Sequence, residues 1–175
     1  GFPAGVEPGL EGGVNYRIDA LAYANGCHVA EVEVDVETGK VRIVNYVALQ
    51  DSGVLINPMM VEGQIHGGIV HGIGNAFFEW MGYDDGGQPV TTNYADYLLP
   101  TATEIPMLTT LYKETPSPLN PLGVKGVGEA GTIPAAAALI SAVEDALSPF
   151  NVRIRHYPLS PIAILDMIKA GGGQA

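Results

Sequence analysis

The residues best placed to do chemistry lie in the stretch Gly123-Val124-Lys125-Gly126-Val127-Gly128-Glu129-Ala130-Gly131-Thr132-Ile133-Pro134. Four glycines in nine residues keep side chains off the backbone, so a ligand can approach the main chain closely. One carboxylate, Glu129, sits among them. An alanine- and leucine-rich helix is expected from Ala135 to Leu147, with Thr132 as its N-cap and Pro134 in its first turn. A glycine loop running into a helix N-terminus presents free N–H groups and a positive dipole end. That geometry binds anions, with an acid–base group built in. A tight strand-to-helix turn would use the same residues, and a lone Gly-x-Gly does not separate the two.

Gly63, Gly67, Gly68, Gly72 and Gly74 form a second unusual group, inside a segment otherwise patterned as a helix. Asn57-Pro58 reads as its N-cap and first position, and Ile65, Ile69, Ile73, Ala76, Phe77 and Trp80 as its core stripe. Each interior glycine costs up to about 1 kcal/mol relative to alanine. The pairs Gly63/Gly67 and Gly68/Gly72 are four apart and make smooth strips where a backbone or a flat ligand can press close. Gln64, beside them, offers both a donor and an acceptor. His66 and His71 stand about 140° apart around a helix and are poorly placed to share a metal. They read as satisfied or exposed side chains.

Other elements must position these groups. Residues 1–13 hold five glycines and two prolines and read as a linker, with a domain over 14–170 and a tail at 171–175. Asn15 to Ala24 is roughly strand-like. From His28 to Glu37, Val32, Val34 and Val36 alternate with Glu31, Glu33, Asp35 and Glu37; Thr38-Gly39 turns the chain, and Val41 to Leu49 returns. The carboxylate row reads as a solvated strand face rather than a metal site. A short strand at Leu108–Lys113, a strand at Asn151–Tyr157 and a last helix from Ser160-Pro161 to Ala170 complete the pattern, with Thr91–Pro106 irregular. The expected class is α+β: a mixed sheet, an N-terminal hairpin and two principal helices.

A net charge of −11 argues against nucleic-acid binding, which needs a basic surface. The charge is uneven: residues 1–88 carry three Lys/Arg against twelve Asp/Glu, and 89–175 carry five against seven, which marks a solvated acidic face. No apolar run approaches the ~20 residues of a membrane span. The single cysteine, Cys27, leaves no internal disulfide and no cysteine cluster, and a cytoplasmic setting is expected. An N-terminus of Gly1-Phe2-Pro3-Ala4-Gly5, without methionine, is expected of a fragment or processed subunit.

In order along the chain, Val32-Glu33-Val34-Asp35 with Thr38-Gly39, Asp51-Ser52-Gly53, Asn57-Pro58, Glu62-Gly63-Gln64-Ile65-His66-Gly67-Gly68 with Gly72-Ile73-Gly74, Asp96-Tyr97-Leu98-Leu99-Pro100-Thr101, and Thr115-Pro116-Ser117-Pro118 through Lys125–Thr132 form one series. Together they resemble the C-terminal part of the molybdopterin-binding large subunit of the xanthine dehydrogenase/aldehyde oxidase family, with the aerobic carbon monoxide dehydrogenase branch most similar. The resemblance implies that Glu129 is the general base for a molybdenum-bound hydroxide. It implies that Gln64 hydrogen-bonds the cofactor and that Lys125, Gly126, Val127 and Gly128 contact it through backbone groups. The cofactor would be molybdenum–molybdopterin in its cytosine dinucleotide form, with the metal held by the pterin dithiolene and by no protein ligand.

The implied substrate is an aldehyde, an N-heterocycle or carbon monoxide. The implied partners are the remainder of the large subunit, an iron–sulfur subunit and an FAD subunit. Burial would strengthen Glu129 as a base, whereas the helix N-terminus and Lys125 would favour its charged form. Lys125 is equally suited to pair with a surface carboxylate. Two alternatives are carried: a non-catalytic assembly subunit that keeps the fold without cofactor, and a generic nucleotide-binding domain. The second lacks Gly-x-x-x-x-Gly-Lys-[Ser/Thr] and ranks last.

Overall fold

The computed structural model describes residues 3–5, 9, 11–17 and 20–171. Strands β1 (Asn25–Val34) and β2 (Val41–Asp51) form the antiparallel hairpin, and β3 (Leu108–Tyr112) adds to β2 in parallel, giving the order β1-β2-β3. The parallel step from β2 to β3 needs a crossover, which helix α1 (Pro58–Phe77) provides. Helix α2 (Ala135–Ala146), a short 3-10 turn (Ser148–Phe150) and helix α3 (Pro161–Ala170) follow. This is the expected α+β class, with a mixed sheet and an N-terminal hairpin.

The hairpin forms where alternation and turn chemistry agree. Ala30, Val32 and Ile43 face the interior, while Glu31 and Glu33 face out; Arg42 bonds Glu33 across the strands. Asp35 accepts from the amides of Glu37 and Thr38, and Gly39 closes the turn at φ +72°. A Cβ on Gly39 would stand 2.1 Å from the Pro161 carbonyl oxygen, so the hairpin tip abuts the start of α3.

Two adjoining cores hold the elements together. Tyr46 and Ala48 of β2, Ile65, Ile69, Ile73 and Ala76 of α1, and Ala135 and Leu139 of α2 bury one. Val143, Leu147, Val152, Leu159, Ile164 and Ile168 bury the other, between α2 and α3. Asn57 caps α1 by accepting from the Met60 amide, and Ser160 caps α3 by accepting from Ala163.

Several expectations are corrected. Asn15–Ala24 forms no strand where it is described. Trp80 does not belong to the α1 stripe: the helix ends at Phe77, where the Phe78 and Glu79 amides both turn back to Gly74 O, and Trp80 is 55% exposed. Asn151–Tyr157 is irregular, because Asn151 enters the left-handed region at φ +55° and the Ile154 amide donates to Glu144 instead of a strand ladder. His156, which the segment's pattern would place in a strand, lies in a bend. Gly171, assigned to the tail, packs at the end of α3 with its amide on Met167 O; residues 172–175, and parts of the 1–13 linker, lie outside the described residues.

Candidate functional site

The glycine loop is held firmly at both ends and left free in the middle. Upstream, Gly53 and Val124 form an antiparallel bridge, Val54 N donates to Gly123 O, and Lys125 N donates to Ser52 O at 2.9 Å. Gly53 sits at φ +67°, and a Cβ there would stand 2.2 Å from Gly123 O, so only glycine lets the two segments meet. The Asn120 side chain pairs with both backbone groups of Val124, at 2.8 and 3.0 Å. Downstream, Gly131 presses on α1, where a Cβ would stand 2.4 Å from Ile65 O.

Between these anchors, among the described residues, the amides of Gly126, Val127, Gly128 and Glu129 have no hydrogen-bond partner. A Cβ on Gly126 or Gly128 would meet nothing within 4 Å, so that side of the loop is open. Val127 turns its side chain inward, against the first core. The row of N–H groups is thus fixed by the residues around it and has no acceptor among the described residues.

Thr132 is not the N-cap of α2. Its amide donates to Glu129 O, and bonds from Ala130 to Val127 and from Ala135 to Thr132 wind residues 127–135 into tight turns ahead of the helix. Helix α2 starts after Pro134 without a side-chain cap. The free donors therefore belong to the loop itself.

Gln64 and the loop come together. The Gln64 side-chain nitrogen donates to Gly128 O at 2.7 Å, which leaves its carbonyl oxygen as an acceptor on the exposed side. Gly63 and Gly67, flanking Gln64, also have open space where a Cβ would be. Gly68 and Gly72 are closed, the first against Gly131 and Thr132 and the second against Ala135. Glu129 is exposed at the end of the amide row.

Lys125 points away from the row. Its ammonium donates to Asp51 Oδ2 at 3.1 Å and to Thr115 Oγ1 at 2.6 Å, and the Lys125 and Asp51 side chains are only 12% and 13% exposed. Asp51 also accepts from the amides of Gly53 and Thr115 and from the Thr115 hydroxyl. The Thr115 hydroxyl bond leads in holding the Asp51 carboxyl well below the usual carboxylate range, with the Gly53 amide and Lys125 adding to it. Of the two readings of the Lys125 side chain, the geometry adopts pairing with a carboxylate, though a mostly buried one and not the surface group expected. Asp51 and Thr115 were not among the residues expected at the site, since no spacing rule links positions 51, 115 and 125.

His71 is exposed, while His66 is half-buried with an Nε2 that has no hydrogen-bond partner among the described residues. No described helix is long and apolar enough to cross a membrane.

The crossover helix α1, with its two glycine strips, thus lies against a loop that carries four unpartnered amides. The chain belongs to the molybdopterin cofactor-binding domain family, whose model matches residues 7–106. It is 43% identical over 168 residues to the nicotine 6-hydroxylase large subunit of Paenarthrobacter nicotinovorans, covering 96% of this chain and 21% of that protein. It is 39% identical over 167 residues to the carbon monoxide dehydrogenase large chain of Hydrogenophaga pseudoflava, covering 95% and 21%. The structure matches quinoline 2-oxidoreductase from Pseudomonas putida 86 with a TM-score of 0.81 at 47% identity, over 83% of this chain and 19% of that one. The chain thus spans about a fifth of the length of the relatives it matches.

Proposed function

We propose that this domain completes the cofactor site of a molybdenum hydroxylase large subunit, acting together with the remainder of that subunit. The observation that carries the proposal is the row of four unpartnered amides, Gly126 to Glu129, fixed opposite Gln64 and ending in a carboxylate. Unpartnered N–H groups on a loop anchored at both ends suit an anionic, phosphate-bearing group, and the missing Cβ atoms of Gly126 and Gly128 let it approach closely. The residues present therefore fit a pterin dinucleotide, and the cytosine form is the one proposed.

When bound, that cofactor supplies a two-electron oxidation with water as the oxygen source. Gly126, Val127 and Gly128 would hold it through main-chain donors, and Lys125, whose amide is taken by Ser52 O, would enter only through its backbone carbonyl. Gln64 fixes the Gly128 carbonyl with its nitrogen and keeps its oxygen to accept from the cofactor. Glu129 accepts a proton at its carboxylate as the substrate carbon is attacked. Its exposure in this chain leaves burial to the cofactor, the substrate and the rest of the subunit.

Exposed Ile56, Met59, Met60, Leu122 and Ile133 offer apolar surface for that remainder to cover. Of the three substrate classes, an N-heterocycle is favoured, because two of the similar proteins are named for nicotine and quinoline. Electrons would leave through iron–sulfur and FAD subunits in the cytoplasm. The test is Glu129→Gln in the assembled complex. Turnover should fall on the order of 10²- to 10⁴-fold with pterin content unchanged; wild-type turnover would remove Glu129 from the role of base.

A further inference from the structure

Lys125 is held at two points: its amide on the Ser52 carbonyl and its ammonium on Asp51 and Thr115. The three side chains come from three segments, the end of β2, the coil after β3 and the start of the glycine loop. Asp51 is itself immobilised by the Gly53 and Thr115 amides, at 3.0 and 3.2 Å, so the anchor is tied to main chain on two sides. One residue further on, the hydrogen bonds to loop amides stop. Lys125 is therefore the last fixed point before the free row. Glu129 lies four positions on, where Gln64 on Gly128 O and the Thr132 and Ile133 amides on Glu129 O hold the far end of the row, so Lys125 sets its near end.

We propose that Asp51, Thr115 and Lys125 form a positioning clamp that sets the direction of the 126–129 amide row, and with it the placing of the Glu129 carboxylate. The inference rests on the reading of that row as the cofactor face. None of the three side chains has to touch the cofactor; they act through the main chain. The pair is mostly withdrawn from water, so removing one partner leaves a poorly solvated charge and frees the loop's first residue. Displacements on the order of 1 Å at reacting groups can cost about a hundredfold in rate. The clamp therefore affects kcat more than substrate KM.

The experiment uses the full-length large subunit assembled with its partner subunits, comparing Thr115→Val, Thr115→Ser, Lys125→Met and Lys125→Arg. Four quantities are read: kcat, KM, pterin content per complex, and hydrogen exchange at the bonded amides of Val124 and Lys125. Thr115→Val and Lys125→Met should lower kcat on the order of ten- to a hundredfold, with KM within about twofold and faster exchange at both amides. Thr115→Ser, which keeps the hydroxyl, should restore both.

Wild-type kcat and pterin content in Thr115→Val and Lys125→Met would overturn the clamp, and so would failure of Thr115→Ser to restore activity. Faster exchange with unchanged kcat would show a structural tie only and would also overturn it. A wild-type complex without pterin would sink the cofactor reading, and the clamp with it; that result is seen before any variant is compared.

Discussion

Helix α1 carries two glycine pairs at the same spacing, and they do opposite things. Gly68 and Gly72 are closed: a Cβ on either would stand 2.9 Å from Gly131 or 2.3 Å from the Ala135 Cβ. Gly63 and Gly67 are open, with nothing within 4 Å. All four weaken the helix by a similar amount, up to about 1 kcal/mol each, yet only the closed pair recovers that cost within the chain through close packing. The loop divides in the same way, with Gly131 closed against Ile65 and Gly126 and Gly128 open. Closed glycines build the fold. Open ones leave room for something the fold does not itself contain.

The largest effect is expected where a closed glycine gains a side chain. Gly131→Ala places a Cβ 2.4 Å from the Ile65 carbonyl oxygen, a backbone atom that cannot move without shifting α1. Overpacking of this kind costs about 1–3 kcal/mol, and the same contact positions residues 126–129. A urea melt of the full-length subunit should show the loss, together with reduced pterin content. A melt indistinguishable from wild type would mean that loop and helix are not in register, and the division into closed and open glycines would fail at its clearest point.

The open pair should respond in the opposite sense. Gly67→Ala removes a helix defect and meets nothing in the chain, so it should leave folding unchanged or stabilise it by up to about 1 kcal/mol. The assembled complex should instead lose pterin content or subunit fit, because the added methyl occupies the open face. Gains in both stability and cofactor content would show that the outer strip faces only solvent.

Spacing in the sequence is enough to find both glycine pairs but not to tell them apart, because what a Cβ would meet depends on residues over sixty positions away. Local features were more legible. The β1–β2 alternation, the Asn57 cap, the start of α3 at Ser160-Pro161 and the turn at Gly39 all follow from neighbouring residues, and the structure forms each of them. Expectations failed where a distant or competing bond intervened. Glu144 accepts the Ile154 amide and replaces a strand ladder at 151–157. Tight turns occupy the residues that would have let Thr132 cap α2. Asp51 and Lys125 meet across seventy-four positions, a pairing for which local pattern gives no signal, although it fixes the start of the candidate site.

Gln64 joins the two regions, and its replacement should have the smallest effect on folding. Its side chain donates to Gly128 O from an exposed position, next to the open pair and one residue before Ile65, which receives Gly131. A neutral hydrogen bond contributes about 0.5–1.5 kcal/mol net, and exposure to competing water puts this one near the lower end. Gln64→Leu should therefore melt within roughly 0.5 kcal/mol of wild type, far from the loss expected for Gly131→Ala. Its effect should fall on orientation: without the donor, the Gly128 peptide can rotate, the adjoining amides lose their common direction, and pterin content should drop while the melt hardly moves. A melt as damaged as that of Gly131→Ala would place Gln64 among the groups that build the fold. The boundary between closed and open regions would then lie further out on α1, beyond Gly63 and Gly67.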